Sequence, residues 1–309
     1  MQSYLRLRKH IHDPLHYEGN PRRSLLCVPP VLHREEGQSF DRGRPSGEVP
    51  EEISGHQLRP ENRRISSALR LRGRESPFFV MQVLLLAHTP NPDELVAAAA
   101  RICYRDIAAS ELLQSEGENL SRKLIADLFR SGHTSTFEHV SFTFGIDGLS
   151  RVASHQLVRH RLASFSQQSQ RYVKMTPDPG AVIIPPSVQS NPEALRVFRE
   201  SVRHSQEAYS SLITMGIPKE DARFILPHGH STRIVLTMNA RELHHFFGLR
   251  LCRRAQWEIH ELARKMLVLC REKAPVLFEK AGPSCIFGHC EEARTCGKPY
   301  TDMEDLLLA

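Results

Sequence analysis

The chain has 309 residues, 40% of them hydrophobic, enough for one large buried core or two small ones. Its most apolar stretch, Val83 to Ala87, is too short to span a bilayer, and seven cysteines without a framework before the last 25 residues suit a reducing compartment. The formal charge is +6, but residues 1–80 hold 14 Lys+Arg against 10 Asp+Glu, which leaves only +2 for the other 229 and argues against a long polyanion as partner.

Residues 1–80 carry eight prolines among dense Arg, Gly and Ser and show no sustained helical or strand period. Such a segment buries too little apolar surface to offset its ordering entropy, so it reads as a disordered or spurious extension, with Met81 as the start of the folded protein. Ten acidic residues are wrong for a transit peptide, and no secretory pattern is present. The expected location is the cytoplasm.

From Met81 the character changes. Gln82 to His88 reads as a buried strand, and Asn91-Pro92-Asp93 as the cap of a helix running to Cys103-Tyr104. Leu120 to Arg130 has helical spacing. Val140, Phe142, Phe144 and Ile146 alternate as a half-exposed strand, and Gly148-Leu149-Ser150 opens a helix toward Arg161. Ala181 to Ile184 predicts a short strand closed by Pro185-Pro186, and Pro192 to Met215 a long amphipathic helix. Arg233 to Met238 reads as a strand, followed by helices from Asn239 to Phe247 and from Gln256 to Lys280. This is α/β or α+β, without the regular repeat of a doubly wound sheet. Neither GxGxxG nor GxxxxGK[ST] occurs, so side chains must hold any nucleotide.

The most informative stretch is Arg159-His160-Arg161-Leu162-Ala163-Ser164-Phe165-Ser166-Gln167-Gln168-Ser169-Gln170-Arg171-Tyr172. It is a dense donor array, placed by the pattern at a helix end. Forked guanidinium groups and hydroxyls satisfy a phosphate, which carries about −1.5 to −2 charges and accepts from several directions. A solvated basic helix end is the bland reading of an isolated Arg-His-Arg.

The whole pattern RHRxxSxxxxSxRY resembles, position by position, the signature of the flavin-dependent thymidylate synthases. Gly132 to His139 is similar to that family's GHxxxxEH segment and Asp221 to Pro227 to its DARxxLP segment. Asn239-Ala240-Arg241 through Arg250 to Ala255-Gln256-Trp257-Glu258 is similar to its C-terminal region. The resemblance covers about residues 81–285, and nothing in residues 1–80 takes part. It implies a catalytic domain over 81–285 with a cysteine-containing tail over 286–309. The implied fold is a mixed sheet flanked by helices, assembled as a homotetramer with FAD at subunit junctions. The implied reaction methylates dUMP to dTMP, with methylenetetrahydrofolate as carbon donor and NADPH as reductant of FAD.

Carried over by position, the resemblance puts Ser135, Arg159, His160, Arg161, Gln167, Asn239, Arg241 and His245 against FAD. It puts Gln156, Arg159, Gln167, Ser169, Gln170, Arg171, Arg223 and Arg250 against dUMP, with Arg250 as the catalytic arginine. Gln167 stands where some members have Glu, and His245 where some have Asn; both still donate and accept hydrogen bonds, but the charge at Gln167 is lost.

The bland readings are as follows. His133 and His139 bracket Phe137 as core or capping histidines, Trp257 is core, and of the adjacent His244 and His245 at most one reaches the site. Ser169 has no base placed to activate it and reads as a hydrogen-bonding group. Cys103, Cys252 and Cys270 fall in helical patterns without nucleophile context, which disfavours the cysteine-dependent thymidylate synthase chemistry. An arginine cluster without interleaved aromatics disfavours a nucleic-acid module. The tail offers Cys285, His289, Cys290 and Cys296, the stoichiometry of a zinc site, but adjacent His289 and Cys290 seldom ligate one ion and there is no CxxC, so no metal is expected.

Overall fold

The computed structural model describes residues 81–106, 108–111, 118–175 and 178–308, and the expectations for residues 1–80 lie outside them. Four strands, β1 (Gln82–His88), β2 (Ser141–Ser150), β3 (Ala163–Gln167) and β4 (Ser231–Asn239), form one sheet in the order β1-β2-β4-β3. Every ladder is antiparallel, where a mixed sheet was expected. The reason is topological: β2 and β3 run the same way, but β4 is inserted between them and opposes both.

Period-two patterning sets the buried face. Phe142, Phe144 and Ile146 stand directly opposite Met238, Leu236 and Ile234, and all six are buried. Against that face pack α7 (Ala240–Arg250), through Leu243, Phe246 and Phe247, and α8 (Trp257–Lys273), through Ile259, Leu262, Ala263, Met266 and Leu267. Each large side chain buried there contributes about 1.5–3 kcal/mol. On the opposite face Val235, Leu84 and Leu86 are exposed. Gln82–His88 is therefore an edge strand with a bulge between Leu85 and Ala87, not the buried strand its apolar run suggests.

The remaining helices are α1 (Pro92–Ile102), α2 (Glu118–Ser131), α3 (Arg151–Leu157), α4 (Pro186–Gln189), α5 (Pro192–Thr214), α6 (Lys219–Ala222) and α9 (Met303–Leu308). At α1 the expected capping is only positional: Asn91 is the N-cap residue at φ 46° with no side-chain cap bond. In the first turn Asp93 accepts instead from the backbone N–H groups of Val276 and Leu277, tying α1 to the segment after α8. That segment is not helical to Lys280. Helix α8 stops at Lys273 because Pro275 has no N–H to donate and disfavours helical geometry at Ala274, whose φ is −141°. The strand expected at Ala181 to Ile184 reduces to one bridge, Val182 to His230. Among the described residues no helix is long and apolar enough to cross a membrane.

Candidate active site

Gly148 to Ser150 ends β2 and, as expected, opens a helix. Ser150 is the N-cap of α3, and its Oγ accepts from the Ala153 N–H at 3.0 Å. A buried acid fixes this cap: Glu258 Oε1 accepts from the Ser150 N–H at 2.5 Å and Oε2 from its hydroxyl at 2.6 Å. Burial pushes the Glu258 carboxyl above its usual range, and the two Ser150 bonds oppose that rise. The helix ends at Leu157, four residues short of the expected Arg161, because the chain must turn inward at His160 and leave as β3. The donor-rich motif thus spans a turn and a strand.

His160 is buried and uses both ring nitrogens. Nδ1 lies 3.0 Å from Oε1 of Glu242 on α7, and Nε2 accepts from the Arg250 Nε–H at 3.0 Å. A guanidinium is always a donor, so Nε2 carries the lone pair and Nδ1–H donates to Glu242: His160 is neutral in the Nδ1–H tautomer. Burial lowers the His160 pKa most; Glu242 opposes this, and Arg250 and His245 add to the lowering. Burial also lowers the Arg250 pKa without removing its charge. The ring is further clamped edge-on by Phe246, with centroids 4.9 Å apart, and faces His245 at 5.8 Å. Among the described residues His160, Glu242 and His245 bring their ligand atoms within 4.8 Å of one another, but a His160 engaged at both nitrogens has no lone pair for a metal.

A second group of the expected site residues is cationic. Arg171 pairs with Glu220, and Arg223 Nε donates to the Glu220 carbonyl at 3.0 Å. Arg151, at the start of α3, was missed by sequence reading. Its Nη1 is buried without a hydrogen-bond partner, and Arg223 lies close enough to add to the lowering of its pKa by burial. Gln170 is buried with Nε2 equally unpartnered, and the Ser169 Oγ accepts from the Arg171 N–H at 3.1 Å. Two neighbouring guanidinium groups and orphaned donors are chemically matched to an anion.

The other expected site residues divide into exposed donors and structural ones. Arg159 and Arg161 are exposed and form no side-chain hydrogen bond or ion pair with described residues; Gln156 is half-buried. Ser135 is exposed on the turn Thr134–His139, which Arg241 of α7 ties down through Glu138. Asn239 caps α7, its Oδ1 accepting from the Glu242 N–H at 2.8 Å. Gln167 faces inward, donating to Ser154 and Thr232 hydroxyls at 3.2 Å each. His245 reaches the site, whereas His244 is core: it bonds the Leu277 carbonyl at 2.9 Å, stacks on Phe278, and burial lowers its pKa to about 4. His133 and His139 are exposed, not core, because the short turn buries Phe137 between them. Trp257 is 41% exposed rather than core and lines an apolar cavity of about 700 Å³ with Phe198, Val202 and Pro227. Arg159, Arg161, Ser135 and His245 are all exposed, with donors of the kind a phosphate- and ring-bearing cofactor takes.

Comparison with known proteins agrees with this geometry. The family model for thymidylate synthase complementing protein matches residues 84–276. A flavin-dependent thymidylate synthase of Geobacter sulfurreducens is 49% identical over 219 residues, covering 71% of this chain and 94% of the relative. That of Pyrococcus horikoshii is 46% identical over 220 residues, covering 69% and 90%. A crystal structure of a UMP/dUMP methylase, PolB from Streptomyces cacaoi bound with 5-Br dUMP, superposes with a TM-score of 0.58 at 27% identity, covering 65% of this chain and 94% of that one. The described α/β fold, the Arg-His-Arg turn and the arginine at the end of α7 thus occur in a chain that belongs to the Thy1 family of flavin-dependent thymidylate synthases.

Proposed function

We propose that the chain methylates dUMP to dTMP, with methylenetetrahydrofolate giving the carbon. FAD, reduced by NADPH, would supply the hydride when bound. The observation that carries this reading is the buried chain from Glu242 through His160 to Arg250, which aims a permanently charged guanidinium from the end of α7. For C5 of uracil to accept a methylene carbon the ring must become electron-rich. Arg250 cannot act as an ordinary base, but it stabilises negative charge developing on uracil N3 and the neighbouring oxygen.

The cationic group of Arg151, Arg171 and Arg223, with Ser169 and Gln170, would take the dUMP phosphate, and Gln156 and Arg159 the rest of the nucleotide. Arg159, His160, Arg161, Ser135, Arg241 and His245 would line the FAD site, with Asn239 and Gln167 holding the elements that carry it. No cysteine is needed as nucleophile. Cys270 is fully buried with its thiol pushed well up, Cys103 is exposed beyond α1, and Cys252 lies in a cavity with the tail. The apolar sheet face of Leu84, Leu86 and Val235 supports a homotetramer, since a monomer leaves it in water.

The test is a visible spectrum followed by product analysis. Purified protein is expected to be yellow, to bleach with NADPH, and to form dTMP only with dUMP and methylenetetrahydrofolate together. Colourless protein that takes up no added FAD overturns the reading.

A further inference from the structure

Four of the six described cysteines, Cys252, Cys285, Cys290 and Cys296, line a single cavity of about 540 Å³ between the end of α7 and the tail. None is in a disulfide. In the sequence only three of these thiols stand together; the fourth, Cys252, lies 33 positions before Cys285 and is brought beside them by the fold. The family model matches as far as residue 276, and the three tail thiols follow it in the chain.

One of the four thiols, Cys296, sits in a turn that aims a backbone N–H at its sulfur. The Lys298 backbone N–H donates to the Cys296 Sγ at 3.4 Å, across Gly297, whose φ of +71° suits glycine. The donor is two residues after the cysteine. An N–H aimed at sulfur favours the thiolate, the form that ligates metals. Lys298 is on the cavity wall, as are Arg253 and Arg254, which pair with Asp305 and Glu292.

We propose that Cys252, Cys285, Cys290 and Cys296 form a structural zinc site that fastens the tail to the end of α7. Four thiolates in a closed tetrahedral set are a zinc arrangement, with Zn–S near ~2.3 Å. Cys290 is preferred over its neighbour His289, because the histidine side chain is 79% exposed and turned toward Glu291 at 3.9 Å. No three of these sulfurs lie within 4.8 Å of one another, so zinc must draw the tail inward. The chain between Gly288 and Thr301 has no helix or strand to resist that movement. Zinc binding here exchanges thiol protons for the metal, with no oxidation or reduction. The proposal does not rest on the catalytic reading of Arg250.

The experiment uses the full chain, expressed with added zinc and purified without chelators. Elemental analysis is expected to give about one zinc per chain. Titrating wild-type thiols with a mercurial should release that zinc in step with four thiols, a readout that needs no variant to fold. Cys252→Ser and Cys296→Ser should each lose most of the zinc, and Cys103→Ser should keep it. Protein without zinc, zinc retained fully in the double Cys252→Ser, Cys296→Ser variant, or iron with inorganic sulfide in place of zinc would overturn the proposal.

Discussion

Replacing Glu242 by leucine tests whether Arg250, the proposed catalytic arginine, is held by a tautomer. Glu242 is buried, and its carboxylate accepts the His160 Nδ1–H at 3.0 Å. With leucine there, that N–H is buried without a partner, at a cost of about 1–3 kcal/mol. The ring escapes by moving its proton to Nε2, where it meets the Arg250 Nε–H at 3.0 Å, donor against donor. That switch of tautomer withdraws the acceptor that orients Arg250. A hydrogen bond to a charged group is worth about 1.5–3 kcal/mol, and each 1.36 kcal/mol is tenfold in rate, so dTMP formation per bound flavin should fall roughly 10- to 150-fold. Glu242→Gln can turn its carbonyl toward Nδ1–H and keep the tautomer, so it should stay within about fivefold of wild type. The assay compares dTMP formation with NADPH oxidation, both normalised to flavin content, at a temperature where a thermal melt shows each variant folded. A folded Glu242→Leu with near-normal dTMP formation, or a Glu242→Gln as damaged as the leucine, would refute the reasoning.

Two further expectations are independent of that chain. Arg151→Ala should raise KM for dUMP by about tenfold or more and leave kcat within about threefold, since a phosphate contact is shared by ground and transition states; steady-state kinetics with dUMP varied would show otherwise through an unchanged KM. The pH dependence of stability follows from His244, whose pKa burial lowers to about 4 from the ordinary 6.5. A neutral buried histidine stabilises fully above pH 6.5, and the unfolded chain binds the extra proton as pH falls toward 4, so roughly 3 kcal/mol is lost across that window. Urea melts at pH 7 and pH 4.5 should show a smaller loss in His244→Phe than in wild type; equal losses would remove His244 as the cause.

How much of this was legible in the sequence depends on whether one face of an element faces water. Phe142, Phe144 and Ile146 alternate with polar residues, and their strand was read correctly, as was α5 from its capped amphipathic run. Ala163-Ser164-Phe165-Ser166-Gln167 alternates in the same way, but its polar residues drew attention as ligands, and the strand was missed. Gln82 to His88 is apolar on both faces, a pattern that reads as burial, whereas the sheet order leaves it at an edge. Local runs cannot report strand order, because β4 arrives beside β2 some 80 residues later. Cys252 escaped notice as a tail partner for the same reason.

The site shows a subtler limit. Asn239 followed three residues later by Glu242 is the sequence sign of a helix start, where the acid reaches back to the cap. Half of that grammar is used: Asn239 accepts from the Glu242 N–H. The carboxylate turns away to His160 instead. Glu258, in the first turn of α8 after the cap Gln256, is likewise diverted to Ser150 at the head of α3. Acids in these positions stabilise helix ends by only about 0.3–1 kcal/mol when exposed. Buried, and bonded at 3.0 Å or less to groups on another element, each instead fixes a segment that carries the binding arginines. Arg151 and Gln156 depend on Glu258, through α3, and Arg250 on Glu242, through His160. A motif records which donors face a ligand; the acids that aim them look, in sequence, like ordinary helix caps.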